Sequence, residues 1–189
     1  MAPAAYTYAV PRVYARDHAV RRYGAHGTSH RYVSAEAVRV LGLDPADHGI
    51  VVAHLGNGAS ATAVVNGCSV DTSMGMTPLE GLVMGTRSGD VDPGAFGFLS
   101  RELQLSVQEI EDALYYESGL KGLAGSSDMR DIEDRAAKGD PEAQLAIEIY
   151  AYRAKKYVGA YAAAMGGLSI ASIRSSSASE SPSFRRSWT

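Results

Sequence analysis

Residues 49–71, GIVVAHLGNGASATAVVNGCSVD, decide the fold. Ile50, Val51, Val52 and Ala53 form a β-branched apolar run that predicts a buried strand, and residues 61–65 predict a second. Between them lies HLGNGAS, residues 54–60. Gly56 and Gly58 admit positive φ and let a ligand approach the main chain, while Asn57 brings a side-chain amide and Ser60 a hydroxyl. Two readings fit this turn. Successive exposed amides make a concave anion site, most often for phosphate; equally, Asn-Gly is the strongest short signal for a plain β-hairpin.

Downstream, residues 70–72 close a third short strand, and glycines then recur from Gly75 to Gly97, too densely for a regular element. Arg87 lies in this predicted loop, within Gly85-Thr86-Arg87-Ser88-Gly89-Asp90. A flexible, glycine-flanked loop carrying one arginine suits bidentate contact with a phosphoryl or carboxylate group. Asp90 and Asp92 pair with it or hold a cation in this reading; in the plainer one Arg87 is tied to Asp90 in a surface turn, and Asp92-Pro93-Gly94 is turn chemistry. Ser106 and Glu109 form a capping box that opens a helix carrying Ile110, Ala113 and Leu114 and ending near Gly119. A glycine and serine loop follows, after which Ser127 or Asp128 caps a short helix ending at Gly139. Asp140-Pro141 opens the longest helix, whose stripe of Ile147, Ala151, Ala154, Val158, Tyr161 and Met165 must pack against a sheet or another helix.

Upstream, residues 1–20 carry Pro3, Pro11 and scattered tyrosines without a clear period, and predict an extended lead-in. In YGAHGTSHRYV, Gly24 and Gly27 bracket His26, and Thr28 or Ser29 caps a helix with Val33, Ala37, Val38 and Leu41 on its buried face and Gly42 as its stop. His26 therefore precedes a helix N-terminus, where unpaired N–H groups and the dipole favour an anion; a histidine held by local hydrogen bonds beside a tight turn fits the spacing as well. His30, one turn on, is placed to orient a neighbour. His18 and His48 carry no motif.

The 189 residues, 46% of them hydrophobic, suffice for one full core and part of a second. A net charge of −3 without any run of five or six like charges argues against nucleic acid or a membrane surface as partner. One cysteine, Cys68, excludes a disulfide framework and a thiolate cluster, and reads as a small buried hydrophobe in a reducing compartment. With no secretory or membrane-spanning stretch, the expected location is cytoplasmic. Beyond Gly166-Gly167 the material changes, with nine serines in residues 169–189. No core strand is expected there, the sheet edge is expected to stay open, and the tail, residues 168–189, reads as disordered or as translated out of frame.

Taken together, YGAHGTSHRYV, AHLGNGAS, DTSMGMTPLEGLVMGTRSGDVDP and SSDMRDI resemble the acetate kinase family in order and spacing. The resemblance implies an α/β, ribonuclease-H-like (actin-like ATPase) domain with a mixed sheet and packed helices, here incomplete and spanning residues 21–167. It implies transfer of a phosphoryl group between ATP and acetate, giving ADP and acetyl phosphate, in a homodimer that uses Mg²⁺. His26 and Arg87 would flank the migrating phosphoryl group and stabilise its equatorial oxygens. His54, Leu55, Gly56, Asn57 and Gly58 would hold the nucleotide phosphates, and Asp128, Met129 and Arg130 would lie by the adenosine. Pro78 would wall the pocket for the acetate methyl group. Ala25 stands where the family usually carries phenylalanine, which enlarges that pocket and opens propionate or butyrate as substrates. The resemblance further implies that the family's Mg²⁺ ligands, its carboxylate-binding arginine and its catalytic aspartate are to be expected in segments outside this sequence. The same residues therefore also fit a non-catalytic remnant that retains partial nucleotide binding.

Overall fold

The computed structural model describes residues 1–175. Its centre is a four-stranded mixed sheet in the order β3-β2-β1-β4. β1 (Gly49–Leu55) and β2 (Ala59–Val65) form the antiparallel hairpin at its heart, β3 (Cys68–Thr72) extends β2 antiparallel, and β4 (Ile170–Ser175) runs parallel to β1. The strands are longer than the sequence predicts, so the connection shrinks to Gly56-Asn57-Gly58, and neither glycine uses positive φ.

The register sorts side chains by face. Val51 opposite Ala63, Ala53 opposite Ala61 and Leu55 opposite Ala59 point to one side, where small residues let α8 (Pro141–Ala164) come close with Ala143, Ala146, Ala151 and Ala154. Ile50 opposite Val64, Val52 opposite Thr62 and His54 opposite Ser60 lie on the other side, which α3 (Gly27–Leu41) covers. Both faces are thus covered, which is why β1 reads as a nearly unbroken apolar run.

α8 starts where Asp140 accepts hydrogen bonds from the amides of Glu142 and Ala143. The expected stripe is mostly buried, and Tyr150 and Ala146 join it, while Val158 and Met165 are half-buried against the core. The capping box of Ser106 and Glu109 opens α5 (Val107–Tyr116), and Asp128 caps α7 (Met129–Ala137). α6 and α7 pack on α8. No helix among the described residues is long and apolar enough to cross a membrane.

Several expectations are corrected. The lead-in is not extended: α1 (Pro3–Tyr6) and α2 (Arg12–His18) form there, with Pro3 at the first helical position and Pro11 at the N-cap, where proline is tolerated. α4 (Gly94–Leu103) and α6 (Gly119–Ala124) occupy stretches expected to be loop. Thr28 and Ser29 lie inside α3, whose N-cap is His26, and its buried residues are His30 and Ser34, while Leu41 is exposed. Gly42 does stop α3. Cys68 is exposed, because it opens the edge strand β3. The expectation that no strand follows Gly166-Gly167 is overturned: residues 170–175 pair with β1 from Ile50 to Leu55, so backbone pairing covers the edge expected to be open. The rest of the serine-rich tail lies outside the described residues.

Candidate functional site

The site is built where the β1–β2 turn meets the first turn of α3. Arg22 donates to the carbonyls of Thr72 and Ser73, each at 3.0 Å, and pairs with Glu80, which also accepts from the Tyr8 hydroxyl. The amides of Tyr23 and Gly24 both donate to the Gly75 carbonyl. These bonds hold the segment leading to His26 against the end of β3. His26 then takes φ +61°, in the left-handed region that a non-glycine residue occupies at a cost, and α3 starts at the next residue.

Five side chains meet on the α3 face of the hairpin. His26 Nδ1 lies 2.8 Å from Ser60 Oγ, and His30 Nε2 lies 2.8 Å from the same oxygen. The His54 ring stacks on His26 with centroids 4.2 Å apart, and its Nδ1 is 2.9 Å from Ser29 Oγ. Burial first, then the neighbouring His54 and Arg87, hold His26 below the ordinary imidazole pKa. Burial first, then His26 and His54, push His30 down to about 4. Both rings are therefore neutral at pH 7.

Arg87 approaches from the opposite side. A methyl group on Gly58 would stand 3.2 Å from Arg87 Nη1 and 3.8 Å from both Cε1 and Nε2 of His26. The bare Cα of Gly58 thus leaves a gap bordered by a guanidinium, an imidazole edge and the hairpin turn. The Arg87 loop is not flexible as expected: Ser88 N bonds Leu114 O, Ser118 N bonds Thr86 O, Leu120 N bonds Met84 O and Lys121 N bonds Gly85 O, so α5 and α6 strap it from both sides. Gly85 N in turn donates to Asn57 O, which joins the loop to the hairpin turn. Arg87 Nη1 donates to the Pro78 carbonyl at 3.3 Å, and the guanidinium sits 5.8 Å from the centre of the Tyr115 ring.

The reading in which Arg87 merely pairs with Asp90 is overturned. Asp90 accepts instead from Tyr157 Oη at 2.8 Å and from the Gly81 amide at 2.8 Å, and pairs with Arg153. Asp92 accepts from the Gly94 amide in a tight turn. His48, without a motif in the sequence, is buried between the Asp44 carbonyl and the Gly67 amide and ties the end of β2 to the start of β1.

Gly58 borders the gap with His26 and Arg87, and His54 stacks on the His26 ring, while Leu55 is buried in the core and Gly56 and Asn57 form the turn. Met129 is also a core residue, and Asp128 and Arg130 pair with each other on the surface beside it. Pro78 is exposed and contributes its carbonyl to Arg87. Ala25 packs on the core and, with Tyr23, His30, Ser34, Thr62 and Thr72, lines a cavity of about 380 Å³ beside the site. Imidazole, guanidinium and turn amides suit an anion; they are the wrong donors for Mg²⁺, which takes carboxylate, carbonyl and water oxygens. Among the described residues no three His, Cys, Asp or Glu side chains come together to hold a metal.

Sequence reasoning missed the double role of Ser60, the Ser29 contact to His54 and the Tyr8–Glu80–Arg22 cluster. The four-residue spacing of His26 and His30 was the available signal for the first; the other two depend on contacts between distant segments.

This hairpin, helix and sheet arrangement is that of the acetate and propionate kinases of the actin-like ATPase fold. The chain superimposes on an acetate kinase from Porphyromonas gingivalis with a TM-score of 0.88 at 53% identity, covering 90% of this chain and 43% of that one. On a propionate kinase from Francisella tularensis the TM-score is 0.94 at 45% identity, covering all of this chain and 48% of that one. The acetate kinase of Syntrophobacter fumaroxidans is 56% identical over 166 residues, which are 88% of this chain and 40% of that protein. The family model for the acetokinase family matches residues 1–173, and the chain belongs to that family. It spans less than half the length of each of these relatives.

Proposed function

We propose that this chain carries the phosphoryl-gripping part of an acetate-kinase-type phosphotransferase, with His26 and Arg87 as the catalytic pair. The observation that carries this reading is the gap at Gly58, bordered by Arg87 Nη1 and His26 Nε2. In the reaction a carboxylate oxygen of the acceptor attacks the γ-phosphorus of ATP in line. The bond to the β,γ-bridging oxygen breaks, ADP leaves, and an acyl phosphate forms. Charge spreads over the three equatorial oxygens of the group in flight, and a fixed N–H of His26 and the fork of Arg87 on those oxygens stabilise it more than either ground state. The hairpin turn at Gly56, Asn57 and Gly58 would face the nucleotide phosphates, and Asp128 and Arg130 the adenosine.

The test has two readouts. Calorimetric titration with ADP and ATP measures whether the chain holds nucleotide. A hydroxamate assay for acetyl phosphate measures turnover, and His26→Ala or Arg87→Ala should each lower any turnover by roughly 10²- to 10³-fold. Nucleotide binding with no turnover would select the remnant reading, in which the chain keeps only part of the nucleotide site; no binding of ADP or ATP at millimolar concentration would overturn the proposal.

A second reading concerns the acceptor. Ala25 opens on the 380 Å³ cavity, and the structurally similar Francisella tularensis protein is a propionate kinase, so propionate is the competing substrate. Ala25→Phe would narrow that space; a shift of the acceptor preference from propionate towards acetate supports the reading, and an unchanged preference removes it.

A further inference from the structure

One hydroxyl sits between two imidazoles. Ser60 is fully buried, and its Oγ lies 2.8 Å from His30 Nε2 and 2.8 Å from His26 Nδ1. A serine hydroxyl has one proton to donate, so one of its two bonds is donated and the other accepted. The direction of the pair follows from the far side of His30. That ring is 3% exposed, and its Nδ1 is buried without a hydrogen-bond partner among the described residues. A proton on that nitrogen would be an orphaned buried N–H, whereas a bare lone pair there is the lesser penalty. The His30 proton therefore sits on Nε2 and is donated to Ser60 Oγ. The hydroxyl proton then goes to the remaining neighbour, His26 Nδ1.

We infer that Ser60 and His30 are positioning residues, a two-step hydrogen-bond chain that locks His26 in the tautomer with its proton on Nε2, the edge facing Gly58 and Arg87. The charged groups around the chain are few. Arg87 and His54 face His26, and both disfavour an added positive charge there. His26 and His54 do the same to His30. With no proton gained at either ring at neutral pH, the tautomer alone decides whether His26 offers a donor or a lone pair to the gap, and an anion requires the donor. This inference rests on the proposed function only for what the Nε2 proton is aimed at; the tautomer itself is independent of it.

The test uses the full 189-residue chain labelled with ¹⁵N-histidine. Two-bond ¹H–¹⁵N correlation spectra distinguish a protonated ring nitrogen from a bare one. At pH 7.5 His26 should show a protonated Nε2 and a bare Nδ1, and His30 the same pattern. Ser60→Ala should replace the single His26 tautomer by a mixture, and so should His30→Leu. His30→Gln keeps a donor that reaches Ser60 and should keep the single form, which a merely space-filling role for residue 30 would not predict. A wild-type His26 protonated on Nδ1 overturns the inference, as does a Ser60→Ala protein that folds with the His26 tautomer unchanged. Where a variant fails to fold, the wild-type spectrum decides alone. Titration with ATP then separates the two claims: a correct tautomer whose shifts ATP leaves unmoved keeps the relay and removes the proposed phosphoryl site.

Discussion

His26 and His54 stack face to face, their ring centroids 4.2 Å apart and their planes inclined by 22°. The N-cap position of α3 delivers the first ring and strand β1 the second, so the contact joins the two elements that frame the site. The stack also bears on charge. Burial is the largest cause of the lowered His26 pKa and His54 the next, so His54→Phe should retain an aromatic face and let the His26 pKa rise part of the way to its ordinary value. An NMR titration of the His26 ring measures this; a His26 pKa that stays put or falls would deny His54 that influence.

Stability should depend on pH with a sign set by His30. Its folded pKa, about 4, is below the ordinary 6.5, so the unfolded chain binds the proton more readily. The neutral ring's contribution is complete above pH 6.5 and is lost as pH falls from 6.5 towards 4. By linkage the loss amounts to roughly 3 kcal/mol over that window. His26, shifted in the same direction, adds to it. Urea unfolding at pH 7.5, 5.5 and 4.5 should show this decline, and His30→Gln should flatten it; a His30→Gln protein with the same acid slope as wild type would show that the loss arises elsewhere.

The strapped loop around Arg87 makes Gly119 critical. Its φ is +62°, and an added Cβ would clash with the Met84 carbonyl oxygen and stand 2.6 Å from that of Arg87, both backbone atoms with little room to yield. Gly119→Ala should therefore cost roughly 3 kcal/mol and pull the loop away from the hairpin turn. Gly159 is the contrast: it lies inside α8, exposed, with no atom within 4 Å of an added Cβ. Gly159→Ala should stabilise by about 0.5 to 1 kcal/mol through helix propensity. Denaturation midpoints of the two variants moving in the same direction would contradict the account.

Much of this architecture is legible in the residues. The β-branched run at Ile50, Asp140-Pro141 with the stripe behind it, and the Ser106–Glu109 box are local signals, and the elements they mark are present. The elements that escaped depend on tertiary support. α6 contains Gly119 and Gly122 and has its first amides accepted by the carbonyls of Met84 and Gly85, partners more than thirty residues away. β4 opens the serine-rich tail, and its short IASIRS run carries little strand signal beside its parallel pairing with β1. In the site, glycine punctuation singles out His26, Arg87 and the hairpin turn one by one. What brings them together is the register that sets Ser60 opposite His54 and the turn that sets Gly58 against Arg87. Cys68 was misjudged because a strand pattern does not reveal which strand lies at an edge.

Gly58 supplies the sharpest test of the gap. Its φ is outside the positive region, so alanine is accepted by the backbone there, and stability should change by less than about 1 kcal/mol. The added methyl would nevertheless stand 3.2 Å from Arg87 Nη1 and 3.8 Å from the His26 ring, inside the space proposed for a phosphoryl group. A bulkier valine fills that space further. ATP affinity should fall at least about tenfold in Gly58→Val, equivalent to about 1.4 kcal/mol, with Gly58→Ala between it and wild type, while the thermal transition hardly moves. Equal ATP affinity in all three proteins would mean that the γ-phosphoryl group does not enter between Arg87 and His26. A parallel fall in affinity and melting temperature would instead assign the glycine to folding.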